Sequence, residues 1–170
     1  FPTMSGNELS CSFNMPAADV RVLIDRTRFA ISSEETRYYL NGIYIHATES
    51  NGDPVLRAVA TDGHRLARVE LPLPEGAGQM PSVIVPRKAV VEIRKLIEDT
   101  ESDVSISLSE SKLCFAIGDT VLTTKLIDGT FPDYERVIPT GNDKLMNVNC
   151  RELAQVVDRV ATISTEKSRS

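Results

Sequence analysis

The sequence predicts an α+β fold of two β-α-β-β-β repeats, with paired helices on one face of antiparallel sheets. Three observations predict this fold. A short strand, a break and a helical stretch follow one another at three places, at an interval of roughly 60 to 70 residues that indicates an internal repeat. Each helical stretch carries apolar residues on one face. The segments after the first two helices are rich in β-branched and aromatic residues, as strands are.

The first repeat begins with a strand over residues 9–15 and a helix over 17–31. Pro16 between them suits a helix start, because the first N–H groups of a helix have no partner within it. We expect three strands to follow, over 38–48, 55–61 and 64–71. Asp62 and Gly63 separate the last two and predict a type I′ hairpin turn, since this dipeptide tolerates positive φ.

The second repeat has the same order, and a third begins after it. We expect a strand over 82–85, Pro86, a helix over 87–98, and strands over 104–108, 113–117 and 121–127. The third repeat begins with a strand over 145–149 and a helix over 151–163. This helix alone cannot bury its apolar face. The predicted organisation is a linker over 1–8, a complete domain over 9–132 (repeats of about 9–74 and 81–132), a linker over 133–141 and a truncated domain over 142–170.

Composition indicates a folded chain and excludes several classes of protein. Hydrophobic residues make up 41% and charged residues 25%, which is typical of globular domains. No apolar run reaches the ~18 residues of a membrane span, and no signal peptide is visible. The net charge of −5 argues against a sequence-specific DNA binder. Cys11, Cys114 and Cys150 are widely spaced and odd in number, which favours free thiols in the cytoplasm over a disulfide framework.

No pattern in the sequence indicates catalysis. The two histidines, His46 and His64, lie far from any metal-ligand spacing, and no P-loop, GxSxG or GxGxxG is present. A hydrolase using Asp62 and His64 is conceivable, but residues that flank a turn glycine are more often turn residues. The first two helices carry more Arg and Lys than Asp and Glu. They are either ordinary solvated faces or a surface toward a polyanion. We therefore expect no enzyme activity, no metal and no cofactor.

Four strings of residues resemble the DNA polymerase III beta subunit family, the bacterial sliding clamps. They are RYYLNG (37–42), ATDGHRLA (60–67), VIVPRK (83–88) and FPDYERV (131–137). The resemblance implies the DNA-clamp fold, with helices lining a ring and sheets at its rim. It implies a processivity factor whose chains close head to tail as a homodimer around duplex DNA. This chain would be the middle domain plus the start of the third.

The resemblance also implies two binding surfaces. Arg87 and Lys88 match DNA-facing positions of the family, and Arg21 and Arg28 are candidates from their helices alone. Tyr38 and Tyr39 either stack on nucleic acid or pack on the sheet. A groove for short linear peptides of polymerases and clamp-loader subunits would use Leu40, Thr61, Gly63, His64, Arg65, Leu66, Pro132, Arg136 and Val137. Leu40 and Gly63 also fit as a core leucine and a turn glycine.

One other class of function stays open. A non-catalytic protein-interaction scaffold of repeated α+β units, not bound to DNA, would show the same repeat. Ring-shaped particles of the intact protein would decide against it.

Overall fold

A computed structural model describes residues 9–163, within which the chain forms eight strands and three α-helices. It divides into two compact units, residues 1–132 and 133–170. The predicted linker over 1–8 and the end of the predicted third domain, 164–170, lie outside the described residues. The elements of the first unit are β1 Cys11–Pro16, α1 Ala17–Asp25, β2 Gly42–Ser50, β3 Asp53–Thr61, β4 Leu66–Pro72, β5 Val83–Pro86, α2 Arg87–Leu96, β6 Asp103–Leu108, β7 Lys112–Ile117 and β8 Thr120–Lys125.

Each sheet of the first unit combines strands from both repeats. The sheet orders are β1-β6-β7-β8 and β4-β3-β2-β5, with antiparallel pairing. Cys11 lies opposite Leu108 at one junction, and Ile43 lies opposite Val85 at the other. The repeats are therefore interlocked, because each contributes its first strand to the sheet of the other.

Both helices start at a proline and bury one face. Pro16 and Pro86 are the N-cap residues of α1 and α2 and have extended backbone. The sequence predicts that the first helix extends to Ile31, but α1 ends at Asp25. The cause lies at Thr27, whose buried hydroxyl donates a 2.6 Å hydrogen bond to the Leu23 carbonyl. This local bond competes with the helical pattern, and a 3-10 turn follows at Arg28–Ala30.

Two arginines join the helices. Arg21 on α1 donates from Nη2 to the carbonyls of Ile97 (2.8 Å) and Thr100 (2.9 Å), just after α2. Arg94 on α2 donates from Nε to both carboxylate oxygens of Asp25 at 3.0 Å. That hydrogen bond raises the pKa of Arg94 further. The links hold α1 and α2 side by side over the core.

The core lies between the helices and the two sheets. It contains an apolar cavity of about 60 Å³, lined from both helices and both sheets by Leu23, Ile93, Ile43 and Phe115 among others. Phe115 and Ile43 are each 1% exposed. Cys11 is buried, Cys114 is half-buried and Cys150 is exposed, and all three are free thiols.

The hairpin turns differ from the prediction. The type I′ requirement of positive φ at both central residues is met at Asn51 (φ 54°) and Gly52 (φ 90°), between β2 and β3. The prediction of such a turn at Asp62-Gly63 is wrong, because only Gly63 has positive φ there (89°). Thr61 pairs with Leu66, so the connection is a four-residue loop.

The second unit contains one α-helix within the described residues, α3 Cys150–Ile163. Asn149 caps it, since its Oδ1 accepts the backbone N–H groups of Arg151 (3.0 Å) and Glu152 (3.2 Å). The predicted strand over 145–149 does not form. A strand needs a hydrogen-bonded neighbour, and Leu145 here is 90% exposed. The apolar residues of α3 are also exposed.

Candidate interaction surfaces

The loop between β3 and β4 is held rigid by its own side chains. The Thr61 hydroxyl donates to the Arg65 carbonyl (2.8 Å) and accepts the Gly63 N–H (3.1 Å). Asp62 Oδ1 accepts the backbone N–H groups of His64 and Arg65, each at 3.0 Å. Local hydrogen bonds therefore bring together the predicted peptide-binding residues of this loop. Three of them, Gly63, His64 and Arg65, are exposed.

The charge of this loop is fixed by Asp62. Burial raises the pKa of its carboxyl, but the N–H groups of Arg65 and His64 and the Arg65 guanidinium outweigh burial and leave the pKa below its ordinary value. Asp62 is therefore ionised at neutral pH, and its Oδ2 lies 3.0 Å from Arg65 Nε.

Gly63 lies directly against Arg37. A Cβ added at Gly63 would lie 2.6 Å from Arg37 Nη1. Arg37 is itself engaged, because Nε and Nη2 donate to the two carboxylate oxygens of Glu34 at 2.7 and 2.6 Å. The hydrogen bond from Arg37 lowers the pKa of Glu34. Gly63 is thus favoured by its positive φ, and a side chain there would also displace the guanidinium end of Arg37.

The other predicted peptide-binding residues differ in setting. Leu40 is 3% exposed and is a core leucine, the alternative that the sequence left open, while Leu66 is half-buried at the start of β4. Pro132 is exposed at the end of the first unit. Arg136 and Val137 belong to the second unit, in a 3-10 turn at Tyr134–Val137. Arg136 Nε lies 2.8 Å from Asp133 Oδ2, and its side chain is 85% exposed.

The predicted DNA-contacting cations differ in how far their side chains are already bound within the protein. Arg87 donates from Nη2 to the carbonyls of Ile31 (2.7 Å) and Ser32 (3.0 Å), so part of its guanidinium holds the segment after α1. Lys88 beside it is exposed. Arg28 has a half-exposed side chain, 3.3 Å from an Asp25 carboxylate oxygen. These three side chains lie on or next to the helices.

Arg21 has a structural role that the sequence did not indicate. Its Nη2 bonds to two carbonyl groups, and its Nε is buried without a hydrogen-bond partner among the described residues. Part of its guanidinium is therefore engaged in holding the segment after α2. The sequence makes Arg21 a DNA candidate only through its position in a helix, and that position does not show which way a long side chain points.

Tyr38 and Tyr39 lie in a 3-10 turn and not in the predicted strand, because β2 begins only at Gly42. Their rings meet edge to face, with centroids 5.8 Å apart. Tyr38 is 53% exposed. Its ring is therefore accessible, whereas that of Tyr39 is half-buried.

An open polar groove of about 450 Å³ connects the two predicted surfaces. Its lining includes Arg28 and Arg87 from the predicted DNA set and His64 and Arg65 from the predicted peptide set. It also includes Phe29, which the sequence reasoning missed. Phe29 is 56% exposed. The sequence signal for it is an aromatic residue that, if the helix pattern is continued, falls opposite the buried residues Val20, Leu23 and Ile24 of α1.

Within residues 9–163 no group of three or more His, Cys, Asp and Glu side chains could hold a metal ion. None of the helices described there combines the length and apolar content of a membrane span.

Comparison with known proteins gives consistent matches. Residues 14–133 match the model of the DNA polymerase III beta subunit, central domain. The chain is 54% identical over 170 residues to the beta sliding clamp of Caulobacter vibrioides, covering 100% of this chain and 46% of that protein. It is 37% identical over 169 residues to the beta sliding clamp of Escherichia coli K12, covering 99% of this chain and 45% of that protein.

Solved structures agree. The chain is similar to the Caulobacter crescentus beta sliding clamp (TM-score 0.94, 53% identity, 99% of this chain and 45% of that one). It is also similar to a Bartonella birtlesii DnaN sliding clamp bound to griselimycin (TM-score 0.92, 52% identity, 98% and 45%). The chain thus spans a little under half the length of these relatives. The predicted α+β DNA-clamp fold is confirmed.

Proposed function

The chain belongs to the DNA polymerase III beta subunit family, the beta sliding clamps, and on that premise we propose that it forms part of a ring that encircles duplex DNA. The ring is a cytoplasmic, non-catalytic processivity factor, closed head to tail by two complete subunits, and it needs no cofactor. The observation that carries this proposal is the match to the central clamp domain over residues 14–133.

Its contact with DNA is electrostatic and independent of sequence. A closed ring is retained on a duplex by topology, so its contacts can be weak and mobile. Lys88 and Arg28 are exposed or half-exposed cations on the helical side, and Arg87 adds charge while it holds the Ile31–Ser32 backbone. Tyr38 and Tyr39 are the adjoining aromatic residues. We leave Arg21 out of this set, because its guanidinium is bound to Ile97 and Thr100.

Lys88→Ala in the complete subunit tests the DNA surface, because Lys88 carries charge without supporting the fold. The expected result is weaker DNA binding, with a salt slope reduced by about one for a lost phosphate contact. The matched control is Lys125→Ala, which removes the same charge from the sheet strand β8. An unchanged slope for Lys88→Ala in binding titrations at several salt concentrations would remove Lys88 from the DNA surface.

A second surface captures short peptides of polymerases and clamp-loader subunits. The rigid loop from Thr61 to Leu66 supports this proposal, since it exposes one cation, Arg65, beside a half-buried leucine. The proposed set of peptide-contacting residues in the complete subunit also includes Pro132, Arg136 and Val137. Apolar anchors and a few oriented polar groups are typical of such sites. The Bartonella birtlesii clamp binds griselimycin, and we propose that this protein binds the same compound.

Arg65→Ala and Leu66→Ala test the peptide surface. Each change should weaken griselimycin or peptide binding by roughly 1 kcal/mol or more if the residue is an anchor. Arg68→Ala is the matched control, because Arg68 lies two positions further along β4 and pairs with Glu70 at 3.5 Å. Equal affinities of both variants and the wild type in calorimetric titrations would reject the assigned groove.

A further inference from the structure

Phe29 lies beneath the charged end of Arg65. The Arg65 Cζ atom is 5.7 Å from the centroid of the Phe29 ring, within the range of a cation–π interaction. The two residues come from separate segments, the 3-10 turn after α1 and the loop between β3 and β4. Nothing in the sequence pattern links these segments.

Both partners are fixed through their backbones. Phe29 lies between two buried residues, Thr27 and Ala30, each at 0% exposure. The ring therefore projects outward from an anchored turn, and it is 56% exposed. The Arg65 backbone is bound to Thr61 and Asp62. Because both segments are fixed, the contact between the Phe29 ring and the Arg65 guanidinium does not need a ligand.

The contacts of Arg65 leave one side of the guanidinium available. Asp62 Oδ2 accepts from Nε at 3.0 Å, and Phe29 covers one face. Within residues 9–163 the terminal nitrogens Nη1 and Nη2 have no hydrogen-bond partner. Two parallel N–H donors at the end of a held guanidinium match a carboxylate.

We propose that Phe29 is a positioning residue of the peptide groove, whose ring holds Arg65 ready for a carboxylate of the bound peptide. This inference rests on the proposed peptide-binding function and deepens it. An arginine side chain loses much rotamer freedom when it is immobilised on binding. A ring that restrains Arg65 beforehand reduces that loss, so the benefit appears only with an acidic ligand.

The first measurement needs no ligand. The Nε–H signal of Arg65 in the complete subunit, assigned through its absence in Arg65→Lys, should be shifted by the ring current of Phe29. Phe29→Leu keeps an apolar side chain but removes the ring, so the signal should move toward the random-coil position. Phe29→Tyr should restore it. A signal that is the same in wild type and Phe29→Leu overturns the contact.

The second measurement uses two synthetic peptides with adjacent leucines, one with a flanking aspartate and one with asparagine in its place. The wild type should prefer the aspartate peptide. Phe29→Leu should reduce that preference by roughly two- to five-fold, the range of an exposed cation–π contact, and Phe29→Tyr should retain it. Val121→Ala is the control for loss of exposed apolar surface, since Val121 is 64% exposed on β8.

The outcomes distinguish failure of the proposed peptide binding from failure of the role of Phe29. A wild type that binds neither peptide nor griselimycin defeats the proposed function and this inference with it. Binding of both peptides with equal affinity rejects the carboxylate contact. A preference for aspartate that survives unchanged in Phe29→Leu rejects only the role of Phe29.

Discussion

Replacing Gly63 by alanine tests how the loop between β3 and β4 is built. Gly63 has φ of +89°, where an L-residue is strained, and its added Cβ would lie 2.6 Å from Arg37 Nη1. Gly52 offers a matched control, because it has φ of +90° and nothing within 4 Å of its added Cβ. Gly52→Ala therefore reports backbone strain alone, and Gly63→Ala reports the same strain plus displacement of Arg37.

The two contributions can be estimated separately. A left-handed alanine is destabilising by about 1–2 kcal/mol, which applies to both variants. Displacing Arg37 removes its paired hydrogen bonds to Glu34. That pair is exposed, with 35% and 50% of its side chains accessible, so solvent screening keeps its loss to a small margin beside the backbone strain. Gly63→Ala should be the less stable variant by that margin.

Thermal unfolding of the 170-residue chain, followed by circular dichroism, measures the difference. A margin of 1 kcal/mol corresponds to a shift in Tm of about 2–4 °C for a chain of this size. The decisive comparison repeats both glycine changes in an Arg37→Ala background, where the margin should disappear. Equal stabilities of Gly63→Ala and Gly52→Ala in the wild-type background would refute the reasoning, as would a margin that persists without Arg37.

Other expected outcomes concern the helix pair, the loop carboxylate and the core. Arg21→Met should lower the free energy of unfolding by about 1–3 kcal/mol, because the Ile97 carbonyl loses its hydrogen-bond donor. The control Lys88→Met should change the free energy of unfolding by no more than about 0.5 kcal/mol. Urea unfolding measures both values. The lowered pKa of Asp62 implies a stabilisation that is complete above its unfolded pKa of 3.8 and is lost as pH falls through the lower folded pKa. Thermal unfolding of Asp62→Asn should therefore differ from wild type at pH 5, and the difference should shrink as pH falls below 3.8. Phe115→Ala should destabilise by about 3–5 kcal/mol, since the side chain is 1% exposed beside an existing cavity.

The sequence predicted the elements of the first unit better than their pairing. Apolar periodicity and the prolines at positions 16 and 86 located the helices, and β-branched runs located the strands to within a few residues. The pattern of a strand does not specify its neighbour. The exchange of β1 and β5 between the repeats depends on packing of distant segments, so no local signal indicates it.

Local chemistry also explains the errors at the turns. Both Asn51-Gly52 and Asp62-Gly63 tolerate positive φ, and the sequence reasoning selected the second pair. Asp62 keeps negative φ because its carboxylate accepts N–H groups from within a longer loop. Thr27 likewise ended α1 early through one side-chain hydrogen bond.

The candidate site was predictable where its residues are neighbours in sequence. Thr61 to Leu66 form one loop, so a single motif located them together. Phe29 escaped because it meets Arg65 only through tertiary structure. The contact of Arg21 with the segment after α2 escaped for a related reason, since the carbonyl groups that bind it do not belong to its own helix.

The interlocked sheets also set a condition on synthesis of the chain. Ser12 on β1 and Ser107 on β6, whose hydroxyl oxygens are 2.7 Å apart, lie 95 positions from each other. A ribosome needs roughly 5–20 s to add that many residues. The first strand therefore waits on the nascent chain with its edge exposed until β6 emerges, and a truncation before residue 103 would leave it without its native neighbour.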